Sequence, residues 1–210
     1  MSLVLLLATT SFLDADTGTA SQTFFCLLRT GVLFIALVTV CRRHKNLPLG
    51  LMLALPAVVL NWVSAFSDSQ LVTVFHNVFV MTFFAFVGFH VLYAVLNDRR
   101  VTLDTIRGAV CVYFLTGIGW AYFYETLLSV DPNSFRFTPD AFESAVATHG
   151  SAIMDTTYFS FVTLTTLGYG DIAPVTRPAR LAACLEAVFG QFYLAVLVAR
   201  LVALHVKSDP

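Results

Sequence analysis

One stretch near the carboxyl-terminal end governs how the chain is arranged, and it reads Asp155-Thr-Thr-Tyr-Phe-Ser-Phe-Val-Thr-Leu-Thr-Thr166, then Leu167-Gly-Tyr-Gly-Asp171. Its first part has the apolar spacing of a helix, and Asp155, or Ser151 one turn earlier, can cap the amino-terminal end. This helix is too short to cross a hydrocarbon core, which needs about 20 residues. The stretch therefore predicts a short re-entrant helix, Asp155 to Thr165, that ends in an irregular run with two glycines.

The irregular run from Thr166 to Gly170 has the composition of a backbone that binds a cation. At membrane depth, non-helical backbone survives only beside protein or a water-filled cavity. Glycine reaches positive φ without a Cβ penalty, so Gly168 and Gly170 can alternate with chiral residues and turn successive carbonyls to one side. Rings of carbonyls can replace the water shell of a cation, and the Thr166 hydroxyl would add another oxygen ring. Leu167 and Tyr169 are expected to point away, into packing that holds the strand.

The composition places the chain in a membrane. Hydrophobic residues make up 58% of the chain, charged residues 12%, and mean hydropathy is +0.80, whereas soluble domains are about 25% charged. A soluble enzyme is therefore excluded. Lys and Arg number 12 against 13 for Asp and Glu, which leaves no basic surplus for nucleic acid. The cysteines lie in apolar runs without metal-ligand spacing and are expected to be small buried hydrophobes: Cys26, Cys41, Cys111 and Cys184.

Apolar stretches predict an all-α bundle of transmembrane helices. The five that reach or approach the required length are Gln22 to Cys41, Leu47 to Phe66, Gln70 to Leu96, Arg107 to Val130, and Ala179 to Val206. A sixth, Ser2 to Leu13, is too short to cross at about 1.5 Å per residue unless the bilayer thins. We expect six spans, of which this first one is short; five spans are the alternative.

The distribution of basic residues predicts the orientation of the spans. One set of loops and ends carries Arg42, Arg43, Lys45, Arg99, Arg100, Arg107 and Lys207, and is expected to be cytoplasmic. The alternate loops carry Asp14, Asp16 and Asp68, and the long connection from Asp131 to Asp155 has Arg136 as its only Lys or Arg. The carboxyl terminus is therefore expected in the cytoplasm, and the amino terminus lies inside with six spans or outside with five.

The motif Thr165-Thr-Leu-Gly-Tyr-Gly-Asp171 resembles the filter of the tetrameric potassium channels, with Leu167 where valine is commoner. The resemblance covers about Arg107 to Val206 and implies an outer helix, a pore helix, the filter and an inner helix. Residues 99–210 would form this pore module, and residues 1–98 three full spans plus the short apolar segment. The resemblance also implies K⁺ at Thr166, Leu167, Gly168 and Tyr169, a filter completed by Gly170, and support from Thr165, Asp171 and Tyr158.

Some positions depart from the family pattern. Val162 stands where some members carry a carboxylate in the pore helix, so an inactivation mechanism based on that acid is not expected. Tyr158 and Phe159 stand where tryptophans are common, so the aromatic residues around Tyr169 must be arranged differently. In the family, the residue at Asp171 ties the strand after the filter to the pore helix.

The inner helix contains two candidates for gating. Gly190 lies twenty residues beyond Gly170, where the family often has a hinge, although a small residue also allows close helix packing. Glu186 is an intramembrane acid, which is a functional candidate by default. Its alternative role is that of a structural carboxyl bonded to the pore helix or the outer helix.

Other charged residues do not form a voltage sensor. The span from Gln70 to Leu96 contains no Lys or Arg, whereas a sensor needs several arginines on one helix. Arg29 is expected to be paired or to snorkel, and Arg200 is expected to reach the lipid headgroups.

The leading interpretation is a potassium-selective channel that conducts passively in the plasma membrane. A single filter motif requires several copies to make a ring, so we expect a homotetramer in the lipid bilayer. No cofactor is expected besides the permeant K⁺, and no hydrolase or metalloprotease motif is present. A less selective cation channel and a non-conducting membrane protein are the alternatives. Gating by a cytoplasmic ligand would need a regulatory partner chain.

Overall fold

The computed structural model describes residues 19–43, 47–67, 69–98, 102–138 and 152–208 of the chain. The predicted segment Ser2 to Leu13 lies outside these residues. So do Ser151 and three of the basic residues used for orientation, Lys45, Arg99 and Arg100.

The described residues form six α-helices in the predicted order: α1 (Thr19–Arg43), α2 (Leu47–Ala65), α3 (Gln70–Asn97), α4 (Leu103–Val130), α5 (Ala152–Leu164) and α6 (Arg177–Ser208). The all-α prediction is confirmed. The largest difference in bounds is at α4, which begins at Leu103 rather than Arg107 because Thr102 caps it. Thr102 Oγ1 accepts a hydrogen bond from the Thr105 amide at 3.2 Å, and Thr105 Oγ1 accepts one from the Thr102 amide at 3.4 Å.

Three of the described helices are long and apolar enough to cross a membrane: Gln70–Asn97, Leu103–Val130, and the part of α6 from Arg177 to Arg200. The first two predicted spans form helices that contain the shorter apolar stretches Arg29–Val38 and Gly50–Ser64. Their crossing of the membrane, like the division at residue 98, stays a prediction.

The amino-terminal helices pack in sequence against the rest of the chain. Helix α2 lies between α1 and α3, and α3 packs along α4. The core between them is apolar and includes Phe83, Val87 and Leu115. Polar contacts accompany this core: Asn61, which is buried in α2, donates to the Cys26 carbonyl of α1 at 3.1 Å. An interhelical bond of this kind is worth about 0.6–2 kcal/mol in a membrane.

Arg200 does not reach outward to headgroups as expected. Its guanidinium turns toward the carboxyl-terminal end of α3, where it donates to the carbonyls of Val95 at 2.5 Å, of Leu96, and of Asp98 at 2.9 Å. The last carbonyls of a helix have no partner within the helix and carry its negative dipole end, so a nearby cation satisfies both. The contact that Arg200 makes is therefore not the one predicted, because the free carbonyls at the end of α3 accept its hydrogen bonds.

The prediction for the cysteines is confirmed in part. Cys26 is buried and Cys111 half-buried, but Cys184 is exposed on the surface of the single chain. It lies on the side of α6 that no other described helix of this chain covers.

Candidate functional site

Helix α5 ends in a hydrogen-bonding pattern that leads directly into the Thr166 to Gly170 run. The Leu167 amide donates to the Val162 carbonyl at 2.9 Å, and the Thr166 amide donates to the Thr163 carbonyl at 2.9 Å. These two bonds define a Schellman motif, in which the residue at Thr166 must adopt a left-handed conformation. Helix α5 therefore ends at Leu164, one residue before the predicted end at Thr165. At the other end, Asp155 lies in the first turn of α5 rather than at its cap.

The backbone beyond α5 alternates in handedness. Thr166 and Gly168 both have φ of 59°, and Gly170 has φ of 82°. Glycine adopts this region freely, but a β-branched threonine does so only as an outlier. Alternate left-handed residues are the conformation expected of a strand whose carbonyls turn to one side. The two glycines behave as predicted; the left-handed Thr166 was not anticipated.

The side chains between these residues are open to solvent in the single chain. Leu167 is 58% exposed and Tyr169 is 66% exposed, although both were expected in packing that holds the strand. Within the chain, Tyr169 stacks on Tyr158 with ring centroids 6.5 Å apart and an interplanar angle of 9°. Despite this stack, most of the Tyr169 side chain is left uncovered by the residues that the structure describes.

Asp171 anchors the strand that leaves the candidate filter. Its Oδ2 accepts a hydrogen bond from the Tyr158 hydroxyl of α5 at 2.7 Å, and its Oδ1 accepts one from the Ile172 amide at 3.1 Å. The bond to Asp171 raises the pKa of Tyr158 to about 12, so this hydroxyl stays a donor at neutral pH. The contact joins Asp171 to the pore-helix segment, as the resemblance implied.

A two-stranded antiparallel sheet continues the anchor. Strand β2 (Ile172–Pro174) pairs with β1 (Phe135–Phe137), which follows α4 and a short 3₁₀ turn at Pro132–Ser134. The Phe135 ring packs in the core beneath it, against Phe159 of α5 and Tyr124 of α4. The candidate filter is therefore fixed at one end by the α5 carbonyls and at the other by a sheet built on α4.

Glu186 joins three helices behind α5. It is fully buried, and its Oε2 accepts a hydrogen bond from the Tyr124 hydroxyl of α4 at 2.6 Å. Its Oε1 lies 2.5 Å from the Ser160 hydroxyl of α5, which also lies 2.7 Å from the Gly117 carbonyl. The sequence left open whether Glu186 bonds the pore helix or the outer helix; it bonds both.

Gly190 lies one turn further along α6, against the end of α5. A Cβ at this position would overlap the Leu164 carbonyl oxygen and lie 3.0 Å from Leu164 Cδ1. The same carbonyl is reached by the Tyr113 hydroxyl of α4 at 3.4 Å. Helix α6 runs through Gly190 without a break. The contact satisfies the close-packing interpretation, while the hinge stays a prediction.

Comparison with known proteins identifies the family. A family model described as an ion channel matches residues 110–207. Protein LctB of Geobacillus stearothermophilus is 34% identical over 109 residues, which are 52% of this chain and 78% of that protein. The chain belongs to the ion channel family of the potassium-channel type.

Further relatives agree with this family. The LctB protein of Bacillus caldotenax is 35% identical over 104 residues, 50% of this chain and 75% of that protein. Two-pore potassium channel 5 of Arabidopsis thaliana is 35% identical over 75 residues, which are 36% of this chain but only 18% of that protein. No solved structure gives a significant match. As a member of the ion channel family with membrane-length helices, the chain is a membrane protein, and the family points away from an enzyme.

Several residues of the channel region were missed from the sequence alone. Ser160, Tyr124 and Tyr113 hold the buried side of α5 but belong to no motif. The sequence contained a weak signal of this contact. Ser160 lies four residues before Leu164, and Glu186 lies four residues before Gly190. Residues at that spacing share a helix face, so a polar side chain and a close contact could be expected on one seam.

Proposed function

We propose that the chain is the subunit of a potassium-selective channel that conducts K⁺ passively. The observation that carries the proposal is the alternation of left-handed backbone at Thr166, Gly168 and Gly170, directly after a helix that ends in a Schellman motif. Such a strand can present its carbonyls to one side, where they can replace the water shell of a cation. K⁺ would bind at Thr166, Leu167, Gly168 and Tyr169, with Gly170 completing the filter and Thr165 supporting it.

The assembly that this function requires is a homotetramer. A ring of carbonyls needs several filter strands, and the sequence contains one filter motif. The exposed faces of Leu167 and Tyr169 offer the surface that neighbouring subunits would cover. Apolar side chains of α6 that are exposed in the single chain, among them Leu185 and Phe192, would be shared between subunit contacts and the pore.

The proposed setting is the plasma membrane, with the carboxyl terminus in the cytoplasm. The orientation rests on the basic residues of one set of loops, from Arg42 to Lys207. The name of the Arabidopsis relative supports potassium as the ion, and the filter motif supports it independently. A less selective cation channel is the second candidate, because selectivity depends on packing around the strand that the motif alone does not specify.

Rubidium flux and reversal potentials test the function. Purified full-length protein in liposomes should take up rubidium, whereas a non-conducting membrane protein would not. In planar bilayers with mixed K⁺ and Na⁺, the reversal potential of a potassium-selective channel should follow the K⁺ gradient. A reversal potential near zero under the same gradients would instead favour the less selective channel.

Replacement of one filter glycine sharpens the test. Gly168→Ala adds a Cβ at a residue with φ of 59°, which costs about 1–2 kcal/mol in each subunit. We expect conduction to vanish or to lose its preference for K⁺. Gly88→Ala is the matched control, because Gly88 lies in α3 with nothing within 4 Å of the added Cβ. An unchanged K⁺ preference in Gly168→Ala would remove this residue from the filter.

A further inference from the structure

A buried hydrogen-bonded group lies where α5 meets α4 and α6. Three side chains form it, Glu186 of α6, Ser160 of α5 and Tyr124 of α4, together with the carbonyl of Gly117. We call it the three-helix node. All three side chains are fully buried. A charged carboxylate held this deep in a membrane protein is expensive.

Counting hydrogens indicates the state of the carboxyl group. The node contains three oxygen to oxygen contacts of 2.6, 2.5 and 2.7 Å, and each requires a hydrogen between its two oxygens. The Gly117 carbonyl has none to give. Tyr124 and Ser160 supply one each, so the third belongs to Glu186. The carboxyl group thus donates to the Ser160 hydroxyl, Ser160 donates to Gly117, and Tyr124 donates to Glu186.

The node is connected to the candidate filter through one helix face. Ser160 and Leu164 lie four residues apart on α5, and Glu186 and Gly190 lie four residues apart on α6. The two pairs face each other, since Ser160 meets Glu186 and the Leu164 carbonyl meets Gly190. Helix α5 ends at Leu164, and the filter run begins two residues later, at Thr166. A shift of α5 at the node is therefore transmitted to the first residues of that run.

We propose that Glu186 is a positioning residue of the selectivity filter and acts as a neutral, hydrogen-bonding acid. It holds α5 at a fixed distance from α4 and α6, and through α5 it fixes where the carbonyls of Thr166 and Leu167 lie. This inference rests on the proposed function, because the property it controls is discrimination between K⁺ and Na⁺.

Two substitutions at Glu186 separate hydrogen bonding from charge and from bulk. Glu186→Gln keeps the shape, accepts from Tyr124 and donates to Ser160, so the permeability ratio for K⁺ over Na⁺ should stay within about twofold of wild type. Glu186→Leu keeps the bulk but leaves Ser160 and Tyr124 without their partner. The permeability ratio should then fall by about tenfold or more, because buried hydroxyl groups left without a partner destabilise the native position of α5.

Milder changes protect the test against failure to fold. Ser160→Ala removes the link to α5 alone and should lower the permeability ratio in the same direction as Glu186→Leu. Its matched control is Ser129→Ala, because the Ser129 hydroxyl bonds, among the described residues, to the Glu125 carbonyl of its own helix at 2.8 Å. Oligomer integrity in detergent, measured for every variant, identifies changes that act only on assembly.

Each result has a defined meaning when the variants are recorded beside wild type. Wild-type selectivity retained in both Glu186→Leu and Ser160→Ala would overturn the positioning role. If Glu186→Gln lost selectivity as severely as Glu186→Leu, the proposal that Glu186 acts as a neutral acid would be overturned. A wild-type channel that conducts without preferring K⁺ would overturn the proposed function instead. The node is then judged on unitary conductance, which Glu186→Leu should lower and Glu186→Gln should not.

Discussion

At the scale of single residues, Thr166 is the most informative position in the channel. A β-branched residue with φ of 59° is strained, and such strain costs of order 1–3 kcal/mol. Glycine would serve better at the left-handed position of a Schellman motif. Glycine, however, could not supply the hydroxyl of Thr166. This hydroxyl lies 3.5 Å from the side-chain amide nitrogen of Gln191 in α6. Strain at this residue is consistent with a hydroxyl that serves ion binding.

Thr166→Gly should therefore separate stability from selectivity. We expect the variant to unfold at the same or a higher temperature, because the relief of backbone strain offsets the greater freedom of glycine in the unfolded chain. Its permeability ratio for K⁺ over Na⁺ should fall, because the variant lacks the hydroxyl that we propose as an oxygen ligand. Thr166→Ser, which keeps the hydroxyl, is the control and should retain selectivity. A lower unfolding temperature in Thr166→Gly would contradict the assigned strain.

Glycine and threonine at the filter differ in how far sequence could predict them. The freedom of Gly168 and Gly170 follows from their lack of a Cβ atom, so their left-handed backbone could be predicted directly. The conformation of Thr166 depends on where α5 ends, and the sequence placed that end at Thr165, one residue beyond Leu164. The bond between Tyr158 and Asp171 could be predicted only through the family resemblance, since the residues are 13 apart.

At the scale of helices, the seam between α5 and α6 determines what Gly190 does. The contact of Gly190 is with a backbone carbonyl, which cannot rotate away as a side chain could. Gly190→Ala should therefore force the two helices apart and lower stability by about 1–3 kcal/mol, as overpacked sites do. A thermal melt of the assembled protein measures this. The hinge hypothesis instead expects a reduced open probability with assembly and selectivity intact, so single-channel recording of the same variant distinguishes the two.

A second helix-scale contact ties α6 to the amino-terminal helices. Replacement of Arg200 by alanine leaves the carbonyls at the end of α3 without a cation, at an expected cost of about 0.3–2 kcal/mol in the free energy of unfolding. Arg200→Lys should recover only part of the lost free energy of unfolding, because an ammonium group lacks the planar guanidinium that bonds to several carbonyls. Arg107→Ala is the control. Arg107 is exposed and, in the part of the chain that the structure describes, pairs with Asp104 of its own helix, so its loss should cost little.

Helix positions could be predicted from the sequence more completely than the contacts between helices. Hydrophobic length placed α1 to α4 and α6 in order, because each apolar run is bounded by polar residues, and the apolar spacing ahead of the filter run placed α5. Arg200 bonds to residues more than 100 positions away, and Glu186 to a tyrosine 62 positions away. No local pattern contains such pairs. They arise only when α3, α4 and α6 are packed together, which is why the destination of Arg200 was predicted wrongly.

At the scale of the whole molecule, helix α3 precedes the channel region but carries none of the charges that a voltage sensor needs. Helix α3 packs along α4 and is bonded to α6 by Arg200, so its position is mechanically connected to the channel region. Its 28 residues, Gln70–Asn97, include no Lys or Arg. The connection can transmit a displacement of α3, but a change in membrane potential exerts no direct force on an uncharged helix.

Open probability should therefore depend only weakly on voltage. A charge that crosses the membrane field contributes about 2.3 kcal/mol per 100 mV, and steep gating requires about three to four such charges in each subunit. Over about 100 mV we expect a change in open probability of less than about threefold, measured from steady-state currents in symmetrical K⁺. Arg29→Gln should leave this shallow dependence unaltered. A steep curve that Arg29→Gln abolishes would make Arg29 the gating charge, and a steep curve that survives the substitution would place the sensor elsewhere in the chain.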